Sequence, residues 1–301
     1  KSLKIGKYVI PLGKPDLRLL RKGTPFWNYL GDHDIFSDVI RVPITWPPEK
    51  FRGVLLSAMC VPDLRGSQGT FSYYTTRKRD EVPYTGGEQI YVERKGDTID
   101  SHLVGPPNSM RVEGGDMRTG FSVRIDGPDA ATLTLCGKTY PLKRGEYTPW
   151  LKFHFEASPI AKVRGICQFL LMSTEPHFEL YVTPLQIDPE EPAMPIAHPT
   201  VYSTYLAKSQ GSFATLGLAE DTWALNEKIL QDPGFLHQCV EADSERETMF
   251  FDAISKTKRG MVCCVFDGTD RIQHMYWRYI DPEHPAREGF GEVRLRDAIP
   301  E

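Results

Sequence analysis

The sequence predicts a mixed α/β protein in which one α/β unit is interrupted by a β-rich insertion. Three observations carry this reading. Residues 54–61 form a nearly continuous apolar run, and residues 261–266 form another. Runs of strand length without alternation fit strands covered on both faces, as in a parallel sheet. Between them, residues 67–190 are rich in Tyr, Thr, Val, Phe and Gly, and several stretches alternate apolar with polar residues, the pattern of half-buried strands. After residue 190 helical spacing returns. The expected division is 1–66, the first part of the α/β unit; 67–190, a mostly antiparallel domain standing off from the rest; and 191–301, the second part of the α/β unit.

The elements follow in order. Thr24 is placed to cap a short helix with Pro25 at its first position, and Phe26, Trp27 and Leu30 then share one face. Residues 37–43 read as a strand broken by Pro43, and 54–61 as a second strand. In the β-rich block, residues 121–125 alternate and end at Asp126-Gly127-Pro128; 131–135 follow, then a turn at Cys136-Gly137. Residues 150–155 alternate again, and further strands are expected over 163–172 and 178–182. Strands at this spacing, separated by Gly and Pro turns and with no long helix, read as a sandwich or barrel. Residues 187–192 look like a Pro-rich linker, residues 200–208 like a helix, and Glu220-Asp221-Thr222-Trp223 like a helix start. Asp232-Pro233 opens a long helix running to about Lys256. Phe235, Leu236, Cys239, Val240, Met249, Phe250 and Ile254 supply its apolar positions, around a polar centre of Asp243, Glu245, Arg246 and Glu247. Gly260 ends it before the 261–266 strand.

The 301 residues are 40% hydrophobic and 25% charged, the balance of a globular protein with room for two compact domains or one large one. With 36 basic and 40 acidic residues the net charge is -4. The densest basic cluster, Arg77-Lys78-Arg79, is followed at once by Asp80 and Glu81. That balance argues against nucleic-acid binding as a primary role. No apolar run approaches the roughly 18 residues of a membrane span, so no membrane partner is expected. The six cysteines (Cys60, Cys136, Cys167, Cys239, Cys263 and Cys264) form no C-x-x-C pair; reduced, buried thiols and a cytoplasmic location are expected. No signal-peptide pattern is present, and the chain opens on Lys1-Ser2-Leu3-Lys4 rather than Met. The expectation is a piece of a longer protein.

Chemistry is expected just beyond the 261–266 strand, because sites in open α/β sheets gather outside the carboxyl ends of strands. That position holds Asp267, Asp270 and His274. Asp270 and His274 are four apart, so one helical turn puts both on the same face, and a carboxylate with an imidazole suits a zinc-like cation. A solvated surface pair is the plain alternative. His33, His198 and His284 read as loop histidines, and Asp63-Leu64-Arg65-Gly66 as a turn with its own ion pair. The sequence contains no G-x-S-x-G elbow and no H-E-x-x-H.

The stretch Phe266-Asp267-Gly268-Thr269-Asp270-Arg271-Ile272-Gln273-His274-Met275-Tyr276-Trp277-Arg278 resembles the type I phosphodiesterase/nucleotide pyrophosphatase family of the alkaline phosphatase superfamily. So do Gly23-Thr24-Pro25-Phe26-Trp27, Arg41-Val42-Pro43-Ile44-Thr45-Trp46-Pro47-Pro48 and Val61-Pro62-Asp63-Leu64-Arg65-Gly66. The resemblance implies an alkaline-phosphatase-like core and hydrolysis of a small-molecule phosphate ester with two divalent metal ions, usually zinc. In the family a Thr or Ser attacks phosphorus and the covalent intermediate is then hydrolysed. An Asp and a His separated by three residues bind one of the metals; Asp270 and His274 match them. Asp267 and Arg271 would then orient those ligands.

The family's strand with a metal-binding Asp and the nucleophile normally lies upstream of the Gly-Thr-Pro-Phe-Trp region, and its Asp-His-Gly motif normally lies downstream. Neither is found in this sequence. The resemblance therefore implies the central fragment of a larger enzyme, completed by N- and C-terminal segments of its parent chain. No catalytic nucleophile is assigned within it, and its metals are expected to be absent or partly held. Two other readings stay open. One is a non-catalytic binding module whose β-rich domain contacts a carbohydrate, a lipid headgroup or a partner protein. The other keeps the superfamily but makes the reaction that of a mutase or sulfatase.

Overall fold

The computed structural model describes residues 2–13, 17–78, 84–281 and 283–285. It opens with a hairpin of β1 (Ser2–Ile5) and β2 (Tyr8–Pro11), followed by α1 (Phe26–Asp32), β3 (Ser37–Ile40) and β4 (Gly53–Leu56). Twelve strands come next. They are β5 (Phe71–Thr75), β6 (Gly87–Tyr91), β7 (Arg94–Lys95), β8 (Thr98–Pro107), β9 (Asp116–Gly127), β10 (Ala130–Leu135), β11 (Lys138–Lys143), β12 (Leu151–Ser158), β13 (Ala161–Cys167), β14 (Phe169–Ser173), β15 (Glu179–Val182) and β16 (Gln186–Ile187). The chain then forms β17 (Ala197–His198), α2 (Val201–Gln210), α3 (Thr222–Asn226), α4 (Asp232–Lys256), β18 (Met261–Cys264) and α5 (Gly268–Ile280). The protein is mixed α/β, with several sheets and few helices. Among the described residues no helix is long and apolar enough to cross a membrane.

Strands from the two ends of the sequence share one sheet, in the order β17-β4-β3-β18. β3 pairs in parallel with β4 on one side and with β18 on the other, Ser37 facing Gly53 and Met261. All four residues of β3 are buried, because helices cover both faces of the sheet. Val39 and Leu55 point to Trp27 of α1. Ile40 and Leu56 point to Tyr202 and Leu206 of α2 and to Met249 and Ala253 of α4. A strand covered on both faces needs no alternation, which is why this part of the sequence reads as apolar runs. The chain leaves β3 for β4 and later returns to the opposite side of β3 as β18. Strand order therefore reverses between β3 and β18, and in open α/β sheets sites gather outside the carboxyl ends of strands at such a point.

The β-rich block contains three sheets, ordered β11-β10-β9-β8-β7, β12-β13-β16 and β14-β15-β5-β6. Their pairings are antiparallel except β5 with β6. The block does not stand off as expected. Its core includes Val61, Leu64 and Ile196 from the flanking segments. Polar bonds also tie it to the helices: Tyr181 donates to Asp221 (2.7 Å), Gln168 to Glu241 (3.0 Å) and Trp150 to Glu245 (2.8 Å).

Several local expectations are corrected. Pro25 is the N-cap of α1, and no side chain caps that helix, Thr24 included. The expected 163–172 strand is two strands broken at Gln168, whose side-chain amide turns inward to Thr148 and Glu241. The expected linker begins inside β16, and Asp188 after it is buried. Asp63 pairs with no cation in its turn; it accepts from the Ser67 backbone and hydroxyl and from Thr70, while Arg65 pairs with Glu88. All six cysteines are free, but Cys60 and Cys136 are exposed rather than buried. Arg77 pairs with Glu179; Arg79, Asp80 and Glu81 lie outside the described residues.

Candidate functional site at the first turns of α5

β18 carries the chain to the carboxyl end of β3, and its extension is held there by the Val265 amide on the Ile40 carbonyl (3.1 Å). Asp267 is the N-cap of α5, and its backbone carbonyl accepts from Arg271 (3.1 Å). α5 then lies along α4: Tyr276 is buried against Phe235 and Cys239, with Ile272, Met275 and Tyr279 packed beside it. With Ile272, Met275, Tyr276 and Tyr279 committed to α4, Asp270, His274 and Trp277, spaced four and three apart, share the outer face. Their exposure fits that placement: 55% for the Asp270 side chain and 71% for the His274 side chain.

His274 Nε2 lies 3.3 Å from Asp270 Oδ1. The other oxygen, Oδ2, accepts from Arg271 Nη1 at 3.2 Å. Two donors on one tetrahedral zinc ion, each about 2.1 Å from it, stand about 3.4 Å apart. The pair therefore fits as two ligands of such an ion, and it fits equally well as a solvent-exposed ion pair. Among the described residues no group of three or more His, Cys, Asp or Glu side chains gathers to hold a metal. The pair thus offers two donors of the four that a closed tetrahedral site takes.

The other two residues expected here face inward. The Asp267 side chain is 20% exposed and pairs with Arg246 of α4. Arg271 is 14% exposed, with Nε 3.7 Å from Glu220 Oε2. Arg246, 3% exposed, also meets Asp243 at 3.0 Å and Glu220 at 3.6 Å. Glu220 is wholly buried between these two guanidinium groups, and neither of its oxygens makes a hydrogen bond among the described residues. Burial pushes its carboxyl above the usual range, against the pull of Arg246. Arg41 adds a further cation. It turns the chain out of β3 through left-handed backbone (φ 57°), and its guanidinium donates to the carbonyls of Ser57 and Leu216. Burial, with Arg246 nearby, lowers it to about 10. At Gly268 a Cβ would collide with the Asp243 carboxylate, so glycine lets the start of α5 close on α4.

The structure thus brings Asp270 and His274 together on the exposed face of α5, while Asp267 and Arg271 beside them turn toward Arg246 and Glu220. Arg246, Glu220 and Arg41 were missed by the sequence reading. A usable signal exists for Arg246. Cys239, Ala242, Arg246, Met249 and Ala253 recur at three- and four-residue spacing, and all five are buried; an arginine in register with an apolar stripe faces the core. Neither Asp270 nor His274 lines the 470 Å³ cavity formed by α4, residues 210–212 and Trp150. No family model, curated protein or solved structure matches the chain.

Proposed function

We propose that the chain belongs to a metal-dependent phosphoric ester hydrolase of the phosphodiesterase/nucleotide pyrophosphatase kind, with an alkaline-phosphatase-like core. Asp270 and His274 would hold one of its divalent ions. One observation carries the proposal: the carboxylate and imidazole stand 3.3 Å apart on the outer face of the helix that follows β18. When bound, such ions stabilise negative charge on the phosphoryl oxygens and activate the attacking group. The chain's own residues act around them. Asp270 Oδ1 and His274 Nε2 face each other as donors. Arg271 holds Asp270 Oδ2 and so fixes the rotation of the carboxylate. Arg246, paired with Asp267, and Glu220, beside Arg271, anchor the first turn of α5, from which Asp270 projects, with His274 one turn further on.

The remaining metal donors and the nucleophile are proposed to come from other segments of a longer parent chain. The test compares two proteins on bis-p-nitrophenyl phosphate with added zinc or manganese. This chain should be no faster than buffer. The product of the complete reading frame should turn over, with His274→Ala and Asp270→Ala each costing more than about a hundredfold. The proposal fails if that product is inactive, or if its turnover survives both substitutions.

A further inference from the structure

The 470 Å³ cavity beside α4 is separate from the outer face of α5. Its volume lies in the range of small-molecule sites. One wall is α4, which presents Glu241 and Glu245 one turn apart. Trp150 lines it from the β-rich block, and Gln210 and Ser212 line it from the segment after α2, leaving it open to solvent. The described residues that line it include two carboxylates and no Lys, Arg or His. Phosphates, carboxylates and nucleotides therefore find no counter-charge there.

We propose that this cavity binds a small primary amine, its ammonium taken up by the Glu241 and Glu245 carboxylates beside the Trp150 indole. Both carboxylates are already fixed in place. Glu245 accepts from Trp150 Nε1 (2.8 Å) and from the Ala214 amide (2.9 Å). Glu241 accepts from Gln168 Nε2 at 3.0 Å on each oxygen. These donors hold the oxygens, and each oxygen keeps a further lone pair for an N–H donor. A neutral polyol could use those lone pairs but brings no positive charge to the two carboxyl groups. A quaternary ammonium has no N–H to offer. A primary ammonium supplies three donors and one positive charge, which meets both needs. Burial raises Glu245 to about 7 and raises Glu241 too. The charged groups around Glu245 are Glu241 on its own helix, which raises it further, and Arg41 from the end of β3, which lowers it. Arg246 lines the small cavity on the inner side of Glu245.

Calorimetric titration of the whole chain with putrescine tests this, with tetramethylammonium and myo-inositol as controls. Putrescine should bind saturably and more tightly than either control. Glu241→Gln and Glu245→Gln should each weaken it at least tenfold. Affinity should rise about tenfold from pH 6 to pH 8, as Glu245 gives up its proton. The proposal is overturned if putrescine does not saturate, if either control binds as well, or if Glu241→Gln leaves binding unchanged. If Glu245→Gln does not fold, the Glu241→Gln titration and the pH series on the unaltered chain decide the matter. None of these readouts involves α5, so the result stands apart from the phosphoesterase reading.

Discussion

Asp267 and Arg271 lie on the inner side of the first turn of α5, 20% and 14% exposed, whereas Asp270 and His274 on the outer side leave 55% and 71% of their side chains in solvent. The inner charges have partners fixed by the packing of α4, namely Arg246 and Glu220. Among the described residues, the ion pairs of the outer two are with each other and with Arg271. Charges taken out of water need partners to be tolerated, and removing one partner leaves the other stranded. Exposed pairs contribute little to stability and keep their lone pairs open to a ligand. The start of α5 thus carries both charges paired inside the fold and charges left in solvent.

The largest expected effect is on the inner side. Arg246→Ala would strand Glu220 and Asp267 and should cost about 3–5 kcal/mol in chemical denaturation. A loss below about 1 kcal/mol would mean the cluster is already hydrated, and the contrast between the two sides would collapse.

Glu245, on the same helix, sharpens the comparison through pH. Burial raises its folded-state carboxyl from 4.5 to about 7, so the folded chain holds a proton that the unfolded chain releases. The stability due to that proton is complete below about pH 4.5 and is lost as pH rises through about 7. Asp38 and Asp221, both raised to about 6 mainly by burial, act in the same direction. Glu245→Gln should therefore lose less stability between pH 4.5 and pH 8 than the unaltered chain, the difference being on the order of 3 kcal/mol. Parallel stability–pH curves would contradict this.

The smallest effect is expected on the outer side. His274→Ala should change the unfolding free energy by no more than about 0.5 kcal/mol, since an exposed pair adds little. A larger loss would make His274 a structural residue.

These contrasts explain what was legible in the sequence. α4 appears where its periodicity places it, and β18 lies within the apolar run that predicts it. The pairing of Asp270 with His274 follows from their spacing alone. In the sequence Arg246 stands within the polar centre of the α4 pattern, and a lone arginine carries no local mark of burial. Its partners Asp267 and Glu220 come from other elements, and only the packing of α5 on α4 brings them together. The break at Gln168 was hidden for a similar reason. A polar residue between two apolar runs reads as alternation, while here its amide is turned toward Glu241 of α4. Long-range partners decided both cases.

Asp270 and His274 are proposed to be free of structural duty and to serve as metal donors. Zinc titration of the whole chain by calorimetry, run beside thermal melts of the same samples, tests it most directly. The unaltered chain should take up zinc weakly, as two donors allow. That uptake should disappear in both Asp270→Ala and His274→Ala, with melting temperatures unchanged. Identical zinc isotherms in all three proteins, or loss of uptake only alongside a lowered melting temperature, would contradict it.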